Sequence, residues 1–207
     1  MATRIYLPVF LLVFLCSASL PQTSQYEFNL DTTRDHLSAL SQTIGVRVAG
    51  TSGEQQAAEY IASKFTEYGL EAEIQPFSAR AVFVGDITSA NVIGTNPGID
   101  PGYGTIYVGA HYDSVKGSPG ANDNASGTAV VLEVARIFAT HEISPTIKFI
   151  AFGAEEYGLL GSKYFTEQLD FFDIHFSPGM INLDCVGYGT GQVASTITGT
   201  DFSLVIK

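Results

Sequence analysis

Apolar positions recur with a helical period over residues 30–44 (LDTTRDHLSALSQTI), where Leu37, Leu40 and Ile44 share one face. A turn follows from Gly45 to Gly53. Ser52 or Gly53 then opens a second helix, GEQQAAEYIASKFTEYGL, with Ala57, Tyr60, Ile61, Lys64 and Phe65 near helical spacing. Gly69 ends it, as a glycine just past a last helical turn does. Two strand-like runs come next, Glu71 to Phe77 and Ile87 to Thr95.

Beyond a turn-rich loop at 96–104 (NPGIDPGYG) the pattern changes. TIYVGAH (Thr105 to His111), KFIAFGAEE (Lys148 to Glu156) and GMINLD (Gly179 to Asp184) are continuously apolar and each ends in polar residues. Strands buried on both faces read this way. Helices are predicted between them, at about Ser126 to Thr140, with Val130, Val131, Val134, Ile137 and Phe138 apolar, and at about Gly158 to Gln168. Strands alternating with helices predict a largely parallel α/β sheet covered on both sides. The 96–104 loop is expected to separate an antiparallel edge from the parallel centre. The final run, QVASTITGTDFSLVIK, reads as one or two further strands with no closing helix.

The first residues alter the domain picture. Arg4 precedes an apolar run from Ile5 to Cys16, and small residues follow at Ser17, Ala18 and Ser19. That is the layout of a secretory signal peptide, so residues 1–20 are set aside, residues 21–207 form one domain, and a secreted, extracellular protein is expected. The run is short for a membrane span, which disfavours an uncleaved anchor. Removing it takes away Arg4 and Cys16 and leaves 9 basic against 21 acidic residues, a net charge of −12. So acidic a surface repels nucleic acid backbones. No nucleic acid partner and no stable membrane insertion are therefore expected. Cys185 alone remains, so no internal disulfide can form.

Ligands of open α/β sheets bind beyond the carboxyl ends of the strands. There this chain places His111 and Asp113 (GAHYDSV), Asp123 (GANDNASG), Glu155 and Glu156, and Asp184. Taken singly, each has an ordinary explanation: a packed strand-end histidine, a turn or helix-capping aspartate, surface acids. Together, five acids in a dry cleft cannot all stay ionised without cations. An imidazole among carboxylates favours zinc over magnesium or manganese. The ligands are too many for one tetrahedral ion with an open position, and two bridged ions fit the count better. One of the neighbouring Glu155 and Glu156 can then bind metal while the other serves as general base. Asn124 is expected to cap the following helix. Asn124-Ala125-Ser126 is a glycosylation sequon that overlaps the metal loop and is expected to stay unmodified. Cys185 is expected to be a packed strand residue.

The four motifs GAHYDSV, GANDNASGTAVVLEVAR, FGAEEYGLLGSKYF and NLDCVGYG, in this order and spacing, resemble the secreted co-catalytic zinc aminopeptidase family, which also contains glutaminyl cyclases. GVRVAGTSGEQQAAEYIASKFTEYGL is similar to that family's N-terminal region. The resemblance covers residues 30–190. It implies a phosphorylase/hydrolase-like three-layer α/β/α sandwich with a mixed, largely parallel sheet, and an exopeptidase acting on peptide substrates. It also implies roles. His111 and Asp184 would bind one Zn2+, Glu156 a second, and Asp123 both, with Glu155 as general base and Asp113 orienting His111. The family draws a further histidine from beyond the position of Asp184. The histidines here are His36, His111, His141 and His175. The expectation is a chain truncated at its C-terminus, with the second zinc weakened or lost and turnover impaired. Two alternatives are a glutaminyl cyclase-like acyl transferase using one zinc, and a catalytically dead binding module. Oligomeric state is not readable.

Overall fold

The computed structural model describes residues 26–188 and the backbone of Val205–Ile206. The export signal read at residues 1–20, and most of the final QVASTITGTDFSLVIK segment, lie outside the described residues. The elements, in chain order, are α1 (Leu30–Ser38), α2 (Ser52–Glu67), β1 (Glu71–Ala81), β2 (Gly85–Asn96), β3 (Thr105–His111), α3 (Gly127–Phe138), β4 (Thr146–Phe152), α4 (Leu160–Glu167), α5 (Phe171–Phe176), β5 (Gly179–Leu183) and β6 (Val205–Ile206).

The sheet has the order β1-β2-β4-β3-β5-β6. β1 and β2 form an antiparallel hairpin, and β2 also runs antiparallel to β4. β3 lies parallel to both β4 and β5, and β5 parallel to β6. The antiparallel edge therefore meets a parallel centre, as the pattern predicts.

Alternate residues of the central strands enter two separate cores. Val92, Val108, Ala110, Ile147, Phe149 and Ala151 pack with Ala57, Ile61 and Phe65 of α2 and with Val131, Leu132 and Ala135 of α3. Ile93, Tyr107, Ile150 and Phe152 pack on the other side with Phe165 of α4. This is a three-layer α/β/α sandwich. Burial on both faces is why β3 and β4 carry no polar alternation. Gly94 in β2 lies flat under Phe65. A Cβ there would come within 2.6 Å of the ring.

Several boundaries depart from the pattern. Residues 30–44 do begin as a helix, capped by Asn29, whose side chain accepts from the amides of Asp31 and Thr32. From Ala39 to Ile44 the turns widen to π geometry, and Gly45 (φ 83°) ends them. β1 and β2 run further than their apolar stretches because the outer hairpin is solvated, up to a tip of exposed Val82, Phe83 and Val84. α5 went unforeseen. It buries none of its residues, so a core-facing period had nothing to reveal. Among the described residues, no helix is long and apolar enough to cross a membrane.

Candidate metal centre

His111 is the last residue of β3, paired in parallel register with Phe152, the last of β4. β5 lies on the other flank of β3 in the same direction. All three strands therefore leave the sheet at one edge, and Asp184 is the first residue past β5. Glu155 and Glu156 require a correction: β4 stops at Phe152, so both lie in the turn that follows rather than on the strand. Ala154, at φ 53°, turns the chain away from extended geometry there. Their placement thus comes from a turn and not from strand alternation. Asp123 sits in the loop that enters α3, and its peptide bond to Asn124 is cis.

The six predicted residues meet around one imidazole. His111 Nε2 lies 3.2 Å from Asp123 Oδ1, 3.7 Å from Asp184 Oδ1 and 3.9 Å from Glu155 Oε2. Its Nδ1 faces the other way, 3.4 Å from Asp113 Oδ1. Potential ligand atoms of His111, Asp123 and Asp184 lie within 4.8 Å of one another, as do those of His111, Glu155 and Glu156. His111 and Asp113 are buried, whereas Asp123 is exposed and Asp184, Glu155 and Glu156 are half-buried. The centre is open on one side.

Three buried residues hold this arrangement together. Asp113 accepts from the Glu155 amide through Oδ1 (3.0 Å) and from the Glu156 amide through Oδ2 (3.1 Å), so it touches both the imidazole and the acidic turn. Asn124 caps α3 as expected, its Oδ1 accepting from Gly127 N at 3.0 Å. It also ties the Asp123 loop to the Asp184 strand end, since Nδ2 donates to Leu183 O (2.8 Å) and Oδ1 accepts from Cys185 N (3.2 Å). Both faces of its amide are engaged in the interior.

Arg47 was not identified from sequence. Fully buried, it donates to the carbonyls of Leu40, Gly45, Tyr112, Pro119 and Gly120. It thereby fastens the segment that leads from Asp113 to Asp123. Gly120, at φ 54°, closes that segment with a left-handed turn that favours glycine.

Carboxylates crowd the His111 imidazole and shift the titration of the groups around it. Burial pulls the His111 pKa down, but the Asp113 and Asp184 carboxylates outweigh it and hold the imidazole up at about 10. Burial and then the Asp123 charge push Glu156 up to about 7, and burial also raises Glu155. The donor set, one imidazole with carboxylates on either side, fits zinc.

The other polar candidates lie elsewhere. Cys185 is exposed, past the end of β5 at φ 53°, and so is not the packed strand residue expected. Desolvation and the adjoining Asp184 and Asp123 carboxylates hold its thiol up at about 12. His36 bonds Tyr60 and Tyr68, His141 the Ile137 carbonyl, and His175 the Phe171 carbonyl.

The sequence model of peptidase family M28 matches residues 91–207. Aminopeptidase YwaD of Bacillus subtilis (strain 168) is 50% identical over 101 residues, covering 48% of this chain and 22% of that protein. A probable zinc metalloprotease of Pyrenophora teres f. teres (strain 0-1) is 32% identical over 168 residues, covering 72% of this chain and 34% of its own. The chain thus spans about a third or less of these curated relatives. Among solved structures, a zinc aminopeptidase from Bacillus subtilis superposes with a TM-score of 0.73 at 24% identity, covering 78% of this chain and 70% of that one. That likeness concerns the fold.

Proposed function

The chain belongs to peptidase family M28, and from that membership we propose that it carries the metal centre of a zinc-dependent aminopeptidase. The observation that carries this reading is the meeting of His111 with two carboxylate pairs, Asp123 with Asp184 and Glu155 with Glu156. The names of the Bacillus and Pyrenophora relatives support aminopeptidase activity and zinc respectively. His111 and Asp184 would hold one ion, Glu156 a second, and Asp123 would serve both.

Bound zinc supplies Lewis-acid polarisation of a carbonyl and lowers the pKa of water to about 7. The protein's own groups do the rest. Asp113 engages the Nδ1 side of His111 and leaves Nε2 for ligation, the usual partnership of a ligating imidazole. Glu155 is the general base. It takes the proton of the attacking water and delivers it to the leaving amine, and burial raises its pKa toward that task. Carboxylates near the metals would hold the free α-amine of a peptide, which would select its N-terminal end. The export signal read at residues 1–20 would place the reaction outside the cell.

The test is zinc content and turnover of the purified protein. We expect retained zinc, slow release of aminoacyl anilide product, and a Glu155→Gln variant that keeps its zinc but loses that turnover. Cyclisation of an N-terminal glutaminyl peptide without anilide hydrolysis would assign acyl transfer instead. A wild-type protein that retains no zinc would end the metallopeptidase reading.

A further inference from the structure

Three of the four backbone amides from Gly153 to Glu156 donate to a side chain from a distant part of the chain. Asn91 Oδ1 takes Gly153 N at 3.3 Å. The Glu54 carboxylate lies against the same backbone, where the Ala154 amide helps to hold its pKa down. Asp113 takes the amides of Glu155 and Glu156. The turn that carries the two glutamates has no regular strand or helix ladder of its own at these amides.

Glu54 and Asn91 are built for this. Glu54, near the start of α2, is 3% exposed. It accepts from Ser89 Oγ at 2.5 Å through Oε1 and from Gly50 N at 2.6 Å through Oε2. Asn91 is fully buried, and its Nδ2 donates to Gly161 O and Gln75 Oε1, both at 3.0 Å, so its Oδ1 is aimed by those two bonds. The packing leaves no slack. A Cβ on Gly153 would collide with Ser89 Oγ and the Ala90 carbonyl, and would lie 2.9 Å from Glu54 Oε1. Among the described residues no basic side chain bonds Glu54, and a charged carboxylate so placed is costly unless its hydrogen bonds are well met. Burial accordingly lifts Glu54 to about 7. Its two hydrogen bonds tie the start of α2 to β2 directly beside Gly153.

We propose that Glu54, Ser89 and Asn91 are positioning residues for Glu155 and Glu156, fixing the Gly153–Ala154 backbone so that the next two carboxylates are delivered to His111. This rests on the reading of Glu155 and Glu156 given above. Asp113 fixes the Glu155 and Glu156 amides from the imidazole side, and Asn91, with Glu54 and Ser89 packed against Gly153, fixes the Gly153 end from the hairpin side. Neither group reaches the reacting atoms.

The test compares Glu54→Ala, Glu54→Gln, Ser89→Ala and Asn91→Ala with Glu133→Ala, a buried acid that pairs with Arg136 on α3, away from the turn. Two quantities are read where every variant is folded: zinc affinity by chelator competition, and amide hydrogen exchange at residues 153–156. Outer partners of a metal site alter affinity by about 10- to 100-fold. Glu54→Ala and Asn91→Ala should weaken zinc about 10-fold and accelerate exchange at Ala154 to Glu156 at least 10-fold. Glu54→Gln, which retains one of the two acceptor oxygens, should recover part of both. Ser89→Ala should fall between and serves if Glu54→Ala does not fold. Glu133→Ala should change neither. Equal zinc affinity and equal exchange in Glu54→Ala and Glu133→Ala would overturn the proposal. If the wild type binds no zinc, the peptidase reading fails, and exchange at 153–156 still decides the positioning on its own.

Discussion

Asp113→Asn separates the carboxylate that organises the centre from the fold around it. The side chain is fully buried and makes two charge-assisted bonds, at 3.0 and 3.1 Å, to the amides of Glu155 and Glu156. An asparagine of the same shape offers one acceptor, so one amide loses its partner and faces an NH2 group. A hydrogen bond to a charged group contributes about 1.5–3 kcal/mol, and a stranded buried donor costs a similar amount. Relief of repulsion among the neighbouring acids offsets part of this. The metal-free variant should therefore unfold about 2 kcal/mol more easily in urea. The larger effect is on zinc. With the Nδ1 side of His111 no longer facing a carboxylate, affinity should fall about 10- to 100-fold, equivalent to roughly 1.4–2.7 kcal/mol. Urea melts with and without chelator, together with zinc competition, measure both quantities. Zinc affinity within twofold of wild type would refute the assignment of Asp113 as the orienting partner of His111.

Arg47→Lys should destabilise the protein by about 3 kcal/mol in urea melts. Lysine has three donors for the five carbonyls that Arg47 engages, and no rigid fork to reach them. Zinc uptake should release protons. His111 titrates at about 10 in the metal-free protein, so below that pH its proton must leave for Nε2 to bind, and affinity should rise with pH from 6 toward 9. The same raised pKa has a stability counterpart. The metal-free fold gains from protonated His111 fully below pH 6.5 and loses that gain as pH rises through 10, so its urea midpoint should fall over this window. Calorimetry in buffers of different ionisation enthalpy counts the protons. Asn124 should carry no glycan when the protein is made in a glycosylating host, because both ends of its amide are bonded inside the fold. Intact mass measures this directly.

What the sequence revealed and what it withheld have a common cause. β3 and β4 were legible because burial on both faces leaves their centres apolar, β5 because its short apolar run stops at Asp184, and His111 stands at the end of β3. Asp123 was legible through its motif. The end of β4 was not, because Gly153 and Ala154 continue the apolar run although Ala154 has already turned. Asp113 was read as a partner of His111, but its two backbone bonds span more than forty residues and leave no local mark. Arg47, Glu54 and Asn91 stayed hidden for the same reason. In the sequence they look like ordinary polar residues of a turn, a helix start and a half-solvated hairpin. Their burial and their partners, up to 73 residues away, exist only once the sheet has formed.

X-ray absorption at the zinc edge of the metal-loaded protein tests the central claim most directly. Ligation by His111 and carboxylates predicts a shell of nitrogen and oxygen at about 2.0–2.1 Å with imidazole scattering beyond it, lost in a His111→Ala variant. A sulfur shell at about 2.3 Å, which only a thiolate such as Cys185 could supply, or a spectrum unchanged by the loss of His111, would contradict it.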